Sequence, residues 1–290
     1  MALTLRPPTS ADIEPCGQII YDAFREIALR HGFPPDFPAL EMANGVAGML
    51  IESSGVFGVV AERDGRVVGS NFLAESNAVR GVGPITVDPS VQGNGVGRRL
   101  MEAVIERGRG APGVRLTQDA FNSRSLSLYA SLGFEVKEPL VMIQGRPRSG
   151  PPPDAGVRVR PLEPADIEGC AALCRSVHGI DRSAELRHSG PMAEPWVALR
   201  DGRVAAYATS LEFWPFAHGV AESEQDMKAL MLGFAALRPA PLWFLLPTRE
   251  ASLFRWLLSE GLRVLKPVNL MAMGEYQEPQ KGCWFPSVMY

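Results

Sequence analysis

Two periodicities alternate along the chain. Apolar residues recur every four positions at Val96, Leu100 and Val104, with Ile105 alongside, the stripe of a helix that buries one face. In residues 56–62 and 67–74 they crowd instead into short runs separated by Arg63-Asp64-Gly65-Arg66. An Asp-Gly between such runs predicts a hairpin. The full pattern predicts a strand at 3–6, a helix starting near Ser10, a second helix at about 38–52, the hairpin, and a strand at 83–87. A helix at 96–109, a strand at 114–118, a helix at 123–132 and a strand at 134–144 follow. A mixed sheet flanked by helices, an α/β or α+β class, is the architecture this order implies.

The order then repeats. Leu5-Arg6-Pro7 with Ala11-Asp12-Ile13-Glu14 and Cys16 recurs as Val159-Arg160-Pro161 with Ala165-Asp166-Ile167-Glu168 and Cys170, an offset of 154. Arg63-Asp64-Gly65-Arg66-Val67 recurs as Arg200-Asp201-Gly202-Arg203-Val204 at 137, placing a second hairpin at 196–199 and 204–211. Leu132-Gly133-Phe134 is echoed by Glu260-Gly261-Leu262 at 128. Order is kept while the offset shrinks, so the second copy has lost material in two places. Residues 146–156 contain Ser149-Gly150-Pro151-Pro152-Pro153, a stretch that cannot continue a helix or an interior strand. The expected domains are therefore 1–145 and 157–290, joined by a linker at 146–156.

Composition narrows the function. Residues 1–145 carry 13 basic and 16 acidic side chains and residues 146–290 carry 16 of each, which accounts for the net charge of -3. Neither half has the basic excess that a phosphate backbone rewards, so nucleic acid is not an expected partner. No apolar run reaches 18 residues and the first dozen residues lack the plan of a signal peptide, so a cytoplasmic chain without a membrane segment is expected. Four cysteines without a Cys-x-x-Cys pair indicate neither a disulfide scaffold nor a metal site, and Cys170 and Cys174 read as buried helix residues.

The segment Val87-Asp88-Pro89-Ser90-Val91-Gln92-Gly93-Asn94-Gly95-Val96-Gly97-Arg98 lies between a predicted strand and a predicted helix. Alternating glycines let the backbone turn tightly and aim successive N–H groups at one point. Joined to the free N–H groups of the helix start, they make an anion site suited to a phosphate, with Arg98 and Arg99 adding charge. The Lys of a P-loop is missing, and the spacing departs from the dinucleotide fingerprint, so a nucleotide cofactor is disfavoured.

These residues resemble the acetyl-CoA loop of the GCN5-related N-acetyltransferase superfamily, whose strand ends Val-x-Pro and whose loop reads Gln/Arg-x-x-Gly-x-Gly/Ala. A second motif, Asn122-x-x-Ser125-x-x-x-Tyr129-x-x-x-Gly133-Phe134, is similar to the family's Asn-x-x-Ala-x-x-x-Tyr-x-x-x-Gly-Phe. Between Val204 and Gly261 neither signature occurs, so the chain resembles a tandem pair of such acyl-CoA N-acyltransferase domains, the second degenerate and not expected to bind CoA.

The resemblance implies acetyl transfer from acetyl-CoA by direct attack of an amine on a small molecule or peptide. Ile85, Thr86 and Val87 would line the pantetheine, and Gln92, Gly93, Asn94, Gly95, Val96, Gly97 and Arg98 would hold the pyrophosphate. Asn122 and Ser125, sharing a helix face with Tyr129, would contact the pantetheine arm. The Val87 N–H would polarise the thioester carbonyl and Tyr129 would protonate the departing thiolate. The general base is open: Glu75 and Asp119 are the nearest acids, while His31 reads as a helix cap and Cys16 as an inert thiol. The alternative is a non-catalytic acyl-CoA sensor or scaffold. All five tryptophans lie in the second half, where core packing is the simpler role, and the apolar tail 282–290 is expected to dock. Oligomeric state is open, with a homodimer among the options.

Overall fold

The computed structural model describes residues 3–151, 156–187, 194–279 and 281–288. Two compact units emerge: Met1–Glu135 with Ala272–Gly274, and Val136–Met271 with Glu275–Tyr290.

The first unit runs β1 (Thr4–Arg6), a 3-10 turn at Ser10–Asp12, α1 (Ile13–Arg30), α2 (Leu40–Glu52), β2 (Val56–Arg63) and β3 (Arg66–Ala74). It continues with β4 (Arg80–Val82), β5 (Thr86–Val87), a 3-10 turn at Pro89–Val91, α3 (Val96–Arg107), β6 (Gly113–Asp119) and α4 (Ser123–Ser131). Its sheet has the order β1-β2-β3-β4-β6, antiparallel up to β4, with β4 parallel to β6. The strand expected at 83–87 is divided. Pro84 has no N–H to give a ladder, so pairing stops at Val82 and resumes at Thr86, leaving Ile85 between strands.

The second unit begins with most of β7 (Glu135–Gly145), followed by β8 (Val157–Pro161), α5 (Ile167–His178), α6 (Ser183–Arg187), β9 (Trp196–Arg200), β10 (Arg203–Ala208) and β11 (Gly219–Ala221). Then come α7 (Glu224–Leu237), β12 (Leu242–Pro247), α8 (Ala251–Ser259), β13 (Arg263–Gly274) and β14 (Cys283–Phe285). A five-stranded antiparallel sheet has the order β14-β11-β10-β9-β8. Strand β7, expected to complete the first domain, pairs antiparallel with β12 from Leu140 to Gly145, and its Val141 and Ile143 enter a core with Trp196, Phe234, Phe244 and Phe285. Of the expected linker, 152–155 lie outside the described residues; Arg146 binds the carbonyls of Ala235 and Arg238, and Ser149 binds Glu260.

The sequence repeat is a structural repeat. Arg6 forks onto Asp12 with two bonds of 2.8 Å, and Arg160 onto Asp166 with bonds of 2.6 and 2.9 Å. Each Asp also accepts from the backbone three residues earlier, closing the turn that starts α1 or α5. Asp64-Gly65 and Asp201-Gly202 are both left-handed, at φ 56 and 76 and at φ 52 and 76. Helices α4 and α8 each have nine residues at an offset of 128, and both end on a glycine at positive φ, Gly133 and Gly261. Phe134 N–H then reaches the Tyr129 carbonyl and Leu262 N–H the Leu257 carbonyl, each at 3.0 Å. Position 257 thus corresponds to 129.

The two losses are now placed. The first, 17 residues between offsets 154 and 137, falls where α2 has 13 residues and α6 five. The second, nine residues between 137 and 128, removes the counterpart of β5 and the glycine loop: only Glu222 and Ser223 separate β11 from α7. No helix of the described residues is long and apolar enough to cross a membrane.

Candidate active site at a glycine loop

The site starts where two strands part. β4 pairs with β6 through Arg80↔Val114 and Gly81↔Arg115, whereas β5 pairs with β3 alone among the described residues. Asp88 N–H donates to the Val68 carbonyl at 2.9 Å, which makes Asp88 a hydrogen-bonded position of the β3–β5 ladder. Antiparallel positions alternate, so the N–H and C=O of Val87 point away from β3. The Gln92 side-chain amide already donates to the Val87 carbonyl at 3.1 Å on that edge.

Beyond Val87 the chain is tightly organised. Asp88 Oδ1 accepts from the Ser90 N–H at 2.9 Å and its hydroxyl at 2.6 Å, and Oδ2 accepts from Arg66 at 2.6 Å. Burial opposes the charge of Asp88, but Ser90 and Arg66 outweigh it and hold the carboxyl below its ordinary value. Gly93 and Gly95 stand at φ +88 and +79, and a Cβ at either would meet nothing within 4 Å. They are glycine for backbone shape and open access, not for packing. Gly97 differs. It lies inside α3, and a Cβ there would come to 3.6 Å from Leu128 and 3.7 Å from Val87. The expected run of three turning glycines is therefore two turning glycines and one at a helix contact.

The first turns of α3 and α4 contain no acid. They hold Arg98 and Arg99, and Arg124, which opposes the preference of a helix N-terminus for negative charge. Arg124 was not singled out from the sequence, although a cation in a helix's first turn was a readable signal. Its guanidinium donates to the Gln92 side-chain carbonyl at 3.0 Å. Arg98 donates to Ser131 Oγ at 2.7 Å, and Arg99 to the Leu3 carbonyl at 2.7 Å.

Tyr129 lies on α4, buried, with its ring edge-on to Phe134 at 6.3 Å. Burial first, and the charge of Asp119 second, push its phenol above the ordinary value, so it stays protonated at neutral pH and can act as a donor. Asn122 precedes the helix rather than sharing its face. As N-cap its Oδ1 accepts from the Ser125 N–H at 3.2 Å, while Ser125 Oγ donates to the Asn122 carbonyl and accepts from Gln118, both at 3.0 Å. Both side chains thus anchor the start of the helix that carries Tyr129.

The base candidates separate. Glu75 is gripped by Arg107 through bonds of 3.0 and 2.9 Å. Asp119 ends β6, close enough to act on Tyr129. Cys16 is fully buried, and burial pushes its thiol up to about 11, which leaves it inert at neutral pH. Among the described residues no cluster of metal-ligating side chains exists.

The second unit handles the same positions differently. Ser223, extended at φ -146, caps α7 by accepting from the Asp226 N–H at 3.2 Å, and Glu224 and Asp226 fill the first turn. Leu257 replaces the phenol. The docked tail supplies β14, which pairs with β11 on one side, while its Phe285 meets Phe244 of β12 at 4.7 Å. Gly219 makes room, since a Cβ there would lie 2.3 Å from the Phe285 ring. Ser287 Oγ accepts from Arg182 at 2.8 Å. Trp196, Trp214 and Trp284 are buried. Tyr290 lies outside the described residues.

The family model for acetyltransferases of the GNAT family matches residues 18–134. The mycothiol acetyltransferase of Thermomonospora curvata is 39% identical over 99 residues, 33% of this chain and 33% of that protein. That of Brachybacterium faecium is 48% identical over 54 residues, 18% of this chain and 16% of the other. The match thus spans about a third of the length of the first of these curated relatives and less of the second. Among solved structures, a Pyrococcus horikoshii chain regarded as an acetyltransferase aligns with a TM-score of 0.75 at 18% identity, covering 99% of this chain and 94% of that one. A tandem GNAT protein from the clavulanic acid biosynthesis pathway aligns with a TM-score of 0.61 at 14% identity, covering 97% and 100%. Residues 18–134, the stretch that holds the glycine loop and Tyr129, are thus similar to acetyltransferases of the GNAT family.

Proposed function

We propose that the first unit is an N-acetyltransferase that moves the acetyl group of acetyl-CoA to an amine of a small molecule or peptide by direct attack. One arrangement carries the reading. Gln92 bonds both Val87 and Arg124, and Arg98 bonds Ser131, so strand end, glycine loop and Tyr129 helix are tied into one piece. The N–H groups from Gln92 to Arg98 then face the pyrophosphate, and Arg98 and Arg124 balance its charge. Ile85, Thr86 and Val87 line the pantetheine, and the outward N–H of Val87 polarises the thioester carbonyl as tetrahedral charge develops. Tyr129, neutral and buried, protonates the thiolate.

The second unit takes no acyl-CoA in this reading. Its loop is deleted, its helix start is occupied by Ser223, Glu224 and Asp226, and β14 fills the gap between the counterparts of β4 and β6. The curated relatives support the reaction class; matching a third of the chain or less, they leave the acceptor to this chain's own residues. Free, buried thiols at Cys16, Cys170, Cys174 and Cys283 suit a reducing cytoplasm.

Calorimetric titration should find one acetyl-CoA per chain and no comparable binding of ATP or NAD. Two sites would overturn the account of the second unit, and none that of the first. Tight binding without thiol release in the presence of any amine would favour the sensor alternative.

A further inference from the structure

We infer that His31 is the base that takes the proton from the attacking amine, an assignment that rests on the acetyl-transfer reading above. Helix α1 ends in a closed motif: Phe33 N–H reaches the Ala28 carbonyl at 2.9 Å, Gly32 N–H the Leu29 carbonyl at 3.2 Å, and Gly32 stands at φ 75. The motif fixes His31 as the C-cap, one position beyond the last helical residue, Arg30. Its Nδ1 lies 2.9 Å from the Ile27 carbonyl. A carbonyl can only accept, so Nδ1 carries the proton and Nε2 of the neutral ring is the bare, basic nitrogen. The cap expected from the sequence is therefore also what prepares the ring to accept a proton.

The same motif seats this end of α1 against Phe121, in the segment that joins β6 to α4. Phe33 stacks on Phe121 with centroids 4.3 Å apart and planes at 21°, and the His31 ring lies 5.2 Å from Phe121. Phe121 stands between Asp119, whose charge acts on Tyr129, and Asn122, which caps the Tyr129 helix. His31 is exposed, so a proton it receives passes readily to water. Glu75 is committed to Arg107, Cys16 is sealed in the core, and Asp119 adjoins the leaving-group acid.

The proton balance is closed. The amine nitrogen bonds to the thioester carbon and the C–S bond breaks. The proton lost by nitrogen goes to His31 Nε2, and the departing thiolate takes the phenolic proton of Tyr129. The imidazolium then yields its proton to water, and the phenolate recovers one.

The test uses the full chain with acetyl-CoA and three amines: 2-phenylethylamine, butylamine and a peptide with a free amino terminus. His31→Ala should leave acetyl-CoA affinity unchanged and lower kcat for the best amine by about 10²-fold or more. Added imidazole should restore at least roughly a tenth of the lost rate, and Asp119→Asn should show no such rescue. A His31→Ala kcat within about threefold of wild type would overturn the assignment alone, as would a loss that imidazole does not relieve. Wild-type chain that binds acetyl-CoA but acetylates none of the three amines would overturn the transfer reading with it.

Discussion

Helices α3 and α7 occupy corresponding places in the repeat, and their first turns are built for opposite charges. Ahead of α3, Gly93 and Gly95 hold the backbone left-handed, and the first turn bears Arg98 and Arg99 without an acid. Ahead of α7, Ser223 closes on Asp226, and Glu224 and Asp226 supply negative charge from within the chain. A helix N-terminus gains from one negative partner. In the second unit the sequence carries that partner permanently. In the first no acid of the chain fills that place, and the proposed reading assigns it to the pyrophosphate of acetyl-CoA. The strand gap follows the same logic, because β14 is seated beside β11 whereas no strand of the described residues lies along the outer edge of β5.

The comparison is sharpest at positions 129 and 257. Tyr129→Phe should lower kcat by about 10²-fold or more while thermal stability and acetyl-CoA affinity hold, measured by thiol release and calorimetry. Leu257→Ala, in the matching place, should do the reverse: a loss of about 2–5 kcal/mol in denaturant unfolding and no change in kcat for molecules that remain folded. A catalytic defect at 257 would break the division between the units.

Smaller effects are expected at the helix starts. Gly95→Glu places a side chain at a left-handed position in the open cradle, and acetyl-CoA affinity should fall by at least roughly tenfold in calorimetry. Ser223→Ala removes only a cap, so about 1 kcal/mol of stability should go while acetyl-CoA affinity is unchanged.

The smallest difference is predicted for the feature both units share. Asp12 is held down at about 2, chiefly by its bonds to Arg6, and Asp166 is lowered too, its bonds to Arg160 outweighing burial. A carboxyl lowered on folding stabilises the protein at pH above its unfolded value of about 4 and loses that contribution as pH falls towards its folded value. Asp12→Asn should therefore cost about 1–2 kcal/mol at pH 7, allowing for the partly exposed Arg6, and the gap to wild type should close between about pH 5 and 2. Asp166→Asn should show the same sign. Chemical unfolding across that range checks both.

Much of this was legible because it is local. An Asp-Gly pair meets the left-handed demand of a two-residue turn wherever it stands, so Asp64-Gly65 and Asp201-Gly202 announced both hairpins. The turn ahead of α1 is closed by Asp12, three residues from Thr9, and the one ahead of α5 by Asp166, three residues from Glu163. Glycine spacing marked the loop, and the Asn122 to Phe134 motif marked the Tyr129 helix. The site's finer parts were not legible, because their partners lie far along the chain. Arg124 meets Gln92 across 32 positions, and Arg107 removes Glu75 from contention across 32 more. Nothing in the periodicity of either segment names the other.

The sequence by itself thus determined the repeat, its two deletions, the turning glycines and the short helix that bears Tyr129, since each depends on backbone conformations that neighbouring residues impose. Only the tertiary structure decided that β7 pairs with β12, that β5 leaves β6, and that the chain's own tail supplies β14. Strand pairing joins segments about a hundred residues apart in the case of β7 and β12, and its choice among apolar runs of similar pattern rests on packing once the chain has closed.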